Sequence, residues 1–199
     1  MKSFLRFILL VTTVAQLTAR PAHDQVGGLS HVDDPAQLLP VNPPTASAIE
    51  ATLAGFEETS GIRILVQFHS KSPLPEQDAK PGVYMKTLAT HLGVAQEGVL
   101  LVYFADEDDW RLWIGDDLAA TFVGHSGTAQ QLTRSGAIHE TKEAFFVAAH
   151  IQAEDALSAL KRITAAARPP SAAQRVRLQT EALLDLLTKK LGSHSPLMR

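Results

Sequence analysis

Four consecutive carboxylates, Asp106-Glu107-Asp108-Asp109, follow an almost wholly apolar run, GVLLVYF at 98–104. Adjacent carboxylates repel one another, and a hard cation relieves that cost. The run reads as a strand covered on both faces, and open α/β sheets place ligands at the carboxyl ends of such strands. The turn is therefore a candidate site for calcium or another divalent cation. Calcium needs six to eight oxygens, so this turn alone cannot complete a site. The alternative is a solvated hairpin tip. The turn is not an EF-hand loop, having neither a Gly at its sixth position nor a Glu at its twelfth.

Other polar groups offer less. Asp116-Asp117 lie at the far end of the next strand, about 20 Å from the turn, and precede a helical pattern that one of them is expected to cap. His139, Glu143, His150 and Glu154 share one side of a helix. However, His139 and His150 are about 16 Å apart along the axis, so they read as surface i,i+4 pairs. His125-Ser126-Gly127 has no nucleophile-elbow context, and Gly124 and Gly127 lack the ending of a phosphate loop. Trp110 and Trp113 flank Arg111-Leu112 and are expected to pack against helices rather than form an exposed face.

The C-terminal stretch forms a second candidate surface. Pro169-Pro170 break the preceding helix and Ser171 can cap the next. Val176, Leu183, Leu184, Leu187 and Leu191 then mark one helical face, with Arg175, Arg177, Lys189 and Lys190 among the polar positions. Such a helix either docks on the body or meets a partner or an anionic membrane surface.

These groups must be positioned by surrounding elements. Ile49, Leu53 and Phe56 recur at helical spacing after Thr45, a candidate N-cap, and Ser60-Gly61 ends that helix. Residues 62–69 alternate as a strand, 70–82 form a proline-containing loop, and 83–92 form a helix stopped by Gly93. With 98–104 this makes a βαβ unit, expected to be right-handed. Residues 110–115 return as a hairpin, followed by helices at 129–135 and 140–167. The fold class is α/β: a small mixed sheet sandwiched by helices, with a C-terminal helical extension.

Composition narrows the chemistry. The 199 residues contain no Cys, which excludes disulfides, thiol catalysis and zinc or Fe–S sites built on thiolates. The net charge of −3 and a pI near 6.2 give no reason to expect nucleic acid as a partner. The charge is uneven: residues 20–167 carry 10 basic against 19 acidic side chains, and residues 168–199 six against two. Lys2 and Arg6 beside an apolar run of roughly a dozen residues read as a signal peptide over 1–19, with an uncleaved anchor as the alternative. A flexible lead then covers 20–30. The expected location is periplasmic or secreted, with retention at the membrane if the signal stays.

The block GVLLVYFADEDDWRLWIGDDL at 98–118 resembles the TPM domain family. The family pattern is a buried GVLLL strand, an acidic turn, a strand containing Arg, and a Gly. Gly98, Val99, Leu100, Leu101, Asp106, Arg111 and Gly115 match it without a gap. Upstream, VDDPAQLL at 32–39 resembles the family's opening V-x-D-x-A-x-L-L, and the resemblance spans about residues 31–165. Departures fall on polar positions: Gln96-Glu97 stand where Asp-Asn is common, Asp108 replaces an Arg, and Asp116-Asp117 replace Tyr-Gly.

The resemblance implies an exported or membrane-associated domain with a sheet between helices. Family members include calcium binders, accessory factors of membrane complexes and an acid phosphatase. The expectation is an exported accessory module for a protein partner in the cell envelope. It would bind a divalent cation through Asp34, Asp106, Glu107, Asp108 and Asp109, and would need no organic cofactor. Peripheral membrane contact would run through Arg175, Arg177, Lys189 and Lys190. The alternative is a metal-dependent acid phosphatase, which the missing Arg at Asp108 disfavours because phosphate needs positive charge.

Overall fold

Seven consecutive buried residues, Gly98–Phe104, form the central strand β3 of a four-stranded sheet. The computed structural model describes residues 30–80, 82–163 and 169–192. The expected signal peptide, and the lead apart from Ser30, lie outside the described residues.

The strand order is β1 (Val32–Asp33), β2 (Arg63–His69), β3, β4 (Asp109–Ile114). β1, β2 and β3 run parallel, and β4 is antiparallel to β3. The apolar run is explained by its central place, since both of its faces are covered by helices. Alternation along β2 and β3 sends Ile64, Val66, Phe68, Val99, Leu101 and Tyr103 into the larger core. Leu65, Leu100, Val102 and Phe104 enter a smaller core on the opposite face.

Helix α1 (Thr45–Ser60) connects β1 to β2 and packs Ile49 and Leu53 on the larger core. Its left-handed Gly61, φ 72°, closes the helix by donating to Glu57 O. Helix α2 (Val83–His91) connects β2 to β3 and packs Met85 and Ala89 on the smaller core. Both connections step the same way across the sheet, yet their helices lie on opposite faces. The two crossovers therefore have opposite hands, so one of them departs from the usual right-handed rule.

After β4 a 3₁₀ turn (Asp116–Leu118) leads to α3 (Ala119–Val123), α4 (Ala129–Arg134) and α5 (Ala137–Ile163). The last helix, α6 (Ala172–Gly192), starts with a reciprocal cap. Ser171 Oγ accepts from Gln174 N, and Gln174 Oε1 accepts from Ser171 N.

The C-terminal helix closes the core. Val176, Leu183, Leu184, Leu187 and Leu191 are all buried in the larger cluster, with Leu187 and Leu191 fully enclosed. The apolar face of α6 is therefore covered by the body of the protein, which leaves its polar positions outward.

Two expected caps are not formed. Thr45 is the first helical residue, and its hydroxyl donates to Pro43 O instead of accepting from the helix. Asp116 and Asp117 lie within the first turn after Gly115 and provide no side-chain cap. Their backbone N–H groups donate to Ala95 O and Gln96 O, so the chain here is fixed by the preceding turn.

Candidate functional site: an acidic rim at the carboxyl end of the sheet

β2 and β3 end side by side, and the loops that follow them meet there. Ala105 N donates to His69 O, extending the ladder one step beyond the strands. The connection 105–108 then turns into β4. Asp108 takes a left-handed conformation, φ 49°, which Asp tolerates better than most residues.

The turn's carboxylates take separate partners. Asp106 Oδ1 accepts from Ser72 N at 2.9 Å and from Ser72 Oγ at 2.9 Å, and Oδ2 accepts from Ser72 N at 3.1 Å. The Ser72 backbone bond, ahead of the other contacts, holds the Asp106 carboxyl below its ordinary range. Asp108 Oδ1 accepts from the Tyr103 hydroxyl at 2.7 Å. Burial, together with that bond to a carboxylate, pushes the Tyr103 hydroxyl well above its usual range.

Glu107 and Asp109 share one cation. Arg111 Nη2 lies 3.3 Å from Glu107 Oε2, Nε lies 3.2 Å from Asp109 Oδ2, and Nη1 lies 2.6 Å from Asp78 Oδ2 in the loop after β2. The guanidinium also sits 4.8 Å from the centre of the Phe104 ring. Strand alternation explains the division. Arg111 and Phe104 face the side covered by α2, whereas Tyr103 and Trp110 face the side covered by α5 and α6.

Asp34 stands just past β1 at the same end of the sheet. β2 lies between β1 and β3, so their backbones are about two interstrand spacings, ~10 Å, apart. The Asp34 carboxylate turns back on its own loop, accepting from Leu38 N at 2.8 Å and Leu39 N at 2.9 Å. Among the described residues no three His, Asp or Glu side chains form a group able to hold a metal ion. The five sequence-predicted ligands thus share one end of the molecule, each with its own protein partner or, for Glu107 and Asp109, a shared one.

Residues that spacing did not mark complete the rim. Asp78 and Ser72 come from the proline-containing loop, 33 and 34 positions before the groups they bind. On the other face a cleft of about 350 Å³ is lined by Asp108, Asp109, Trp110, Glu143, His150 and Gln179. Trp110 Nε1 donates to Gln179 Oε1 at 3.4 Å, and the indole packs edge-on against Phe68. His139 and Glu143 form the expected exposed i,i+4 pair, 4.0 Å apart. Glu143 and His150 also reach the cleft wall, because α5 crosses beside the turn.

The basic positions of α6 do not gather into one patch. Arg177 pairs with Glu181 at 3.2 Å and Lys189 with Asp185 at 2.7 Å. Lys190 lies 5.4 Å from the Phe122 ring centre. Arg175 and Lys190 are about 22 Å apart along the helix axis. Among the described residues, no helix is long and apolar enough to cross a membrane.

No family model matches the chain, and no curated protein matches its sequence significantly. Among solved structures it is similar to the N-terminal domain of a protein from P. gingivalis, determined by solution NMR. The identity is 15%, the TM-score is 0.47, and the alignment covers 84% of this chain and 87% of that one.

Proposed function

We propose that the protein is an exported accessory module of TPM type that uses its acidic rim to dock a cationic protein partner, with a divalent cation able to bridge the two. The observation that carries this reading is the excess of negative charge at this end of the sheet: Asp78, Glu107 and Asp109 share the one Arg111 guanidinium, while Asp106 and Asp108 accept only from the neutral donors Ser72 and Tyr103. Asp106 and Glu107 are exposed, and a carboxylate accepting one or two hydrogen bonds retains lone pairs for another ligand. Because the carboxylates are divided between two faces, an ion at Asp106 would take its remaining ligands from backbone, water and the partner.

The same arrangement disfavours the phosphatase reading. Arg111 is the rim's cation, and its guanidinium is already shared among three carboxylates. A phosphoryl group would have to displace them.

Capture from a solubilised envelope fraction tests the proposal. The wild type should retain a partner that salt or a chelator releases, and an Asp106→Asn/Glu107→Gln variant should lose it. Equal retention by wild type and variant would remove the rim from the interface. Calcium alone should raise the melting temperature in the range of about 10⁻⁴–10⁻³ M. Hydrolysis of a chromogenic phosphate, abolished by Asp106→Ala, would instead establish the enzyme.

A further inference from the structure

A second cleft, of about 610 Å³, lies along the free edge of β4, between the start of α2 and the helices α4 and α5. The ladder register explains what that edge presents. Gly115 N donates to Gly98 O, so alternate residues from Gly115 back to Asp109 turn their backbone groups toward β3. Leu112 and Ile114 therefore direct theirs outward. Lys142 of α5 reaches this edge and donates from Nζ to Leu112 O at 2.7 Å.

Among the described residues Lys142 Nζ has one hydrogen-bond acceptor, Leu112 O, for its three ammonium donors. Among the described residues no carboxylate lies within ion-pair distance of it, and burial pushes its ammonium down to about 8. A shielded cation with no counter-ion is costly, and an anion entering the cleft would relieve that cost. Lys86 and Arg134 line the same cleft, are exposed, and make no ion pair among the described residues. Among the described residues the lining holds one carboxylate, Asp116, which accepts from Gln96 Nε2 at 3.4 Å. Three cations thus meet in one cleft of a body whose charge is otherwise strongly acidic.

The rest of the lining suits a flat apolar body. Trp113 Nε1 donates to Ala95 O at 3.2 Å, which fixes the ring, and Lys142 Nζ lies 6.0 Å from the ring centre. Val83 is 48% exposed, although it is a large apolar side chain at the start of a helix, and it faces the cleft with Ile138. The volume lies within the range of small-molecule sites, about 300–1,000 Å³.

We infer that this cleft binds a small organic anion, a carboxylate or phosphate group on a planar apolar body, with Lys142 holding the charge and Trp113 stacking against the body. Lys86 and Arg134 draw the anion to the mouth. The site is separate from the acidic rim and does not depend on the function assigned to that rim.

Titration calorimetry of the full chain with phenyl phosphate, benzoate and neutral benzyl alcohol tests the inference. The two anions should bind saturably, and benzyl alcohol at least about tenfold more weakly. Lys142→Met, which keeps the length and removes the charge, should weaken both anions by about tenfold or more. Asp106→Asn should leave their binding unchanged. If Lys142→Met fails to give a cooperative melt, a Lys86→Ala/Arg134→Ala variant should still weaken both anions several-fold. The inference is overturned if neither anion saturates below about 10 mM, if benzyl alcohol binds as well as benzoate, or if removal of the cations changes nothing.

Discussion

Gly98 and Gly115 face each other across the β3–β4 ladder, and both sit where a side chain cannot fit. A Cβ on Gly115 would meet the Gln96 carbonyl and lie 2.7 Å from Gly98 O, and one on Gly98 would lie 2.9 Å from Arg63 O. Glycine at both positions therefore has a packing reason. Asp34 is similar: its carboxylate closes the loop that delivers Leu39, 3% exposed, to the core. Replacing Gly115 by Ala should cost about 3 kcal/mol, because its neighbours are backbone and cannot yield. Gly55→Ala, in open space on α1, should instead gain up to about 1 kcal/mol. Urea unfolding of the two variants measures the contrast.

Among the elements, β1 is the one that most needs outside support, being an edge strand of two residues. Glu50 on α1 supplies it, accepting from Ser30 Oγ at 2.6 Å, His31 N at 3.1 Å and Val32 N at 2.9 Å. His31, 8% exposed, places one ring nitrogen 2.8 Å from Glu50 and the other 2.6 Å from Glu57. Burial alone would raise the Glu50 carboxyl. The hydrogen bonds from Ser30, His31 and Val32 outweigh it and hold the group at about 2, against an ordinary 4.5. A depressed carboxyl stabilises the fold above its unfolded pKa and loses that contribution as pH falls through the folded value. The stability advantage of wild type over Glu50→Gln should therefore be full above pH 5 and shrink as pH falls from about 4.5 toward 2. Thermal melts of both proteins across that range would show it, and a constant difference would refute it.

At the scale of the whole molecule, the larger core joins the two ends of the described chain. Val32 packs against the same cluster as Leu187 and Leu191, and α6 covers α1 and α5. The C-terminal helix is therefore structural before it is anything else. Leu187→Ala should cost about 2–5 kcal/mol, as for other fully enclosed leucines. A chain stopped after Pro170 should lose cooperative unfolding and bind a hydrophobic dye, because the faces of α1 and α5 would be bare. A truncated chain that still melts cooperatively would mean that the core closes without α6. Gln152 Nε2, donating to Asp185 at 3.0 Å, adds a polar tie between α5 and α6.

The sequence by itself determined the local elements. The run at 98–104 suited a doubly covered strand, since its almost wholly apolar residues leave no solvent face. Gly61 and Gly93 marked helix ends, and Val176, Leu183, Leu184, Leu187 and Leu191 marked the apolar stripe of α6. The acidic turn was equally plain as four adjacent carboxylates. Only the tertiary structure decided what each of these groups meets. Asp78 reaches Arg111 across 33 positions, and Lys142 reaches Leu112 across 30. No spacing encodes such pairs, because they depend on which loops and helices the sheet order brings together. Strand alternation turned one run of carboxylates into groups on two faces. The packing of α6 turned an amphipathic stripe with three possible partners into part of its own protein's core, because burying that stripe against α1 and α5 removes from water the same apolar surface that any other partner would have covered.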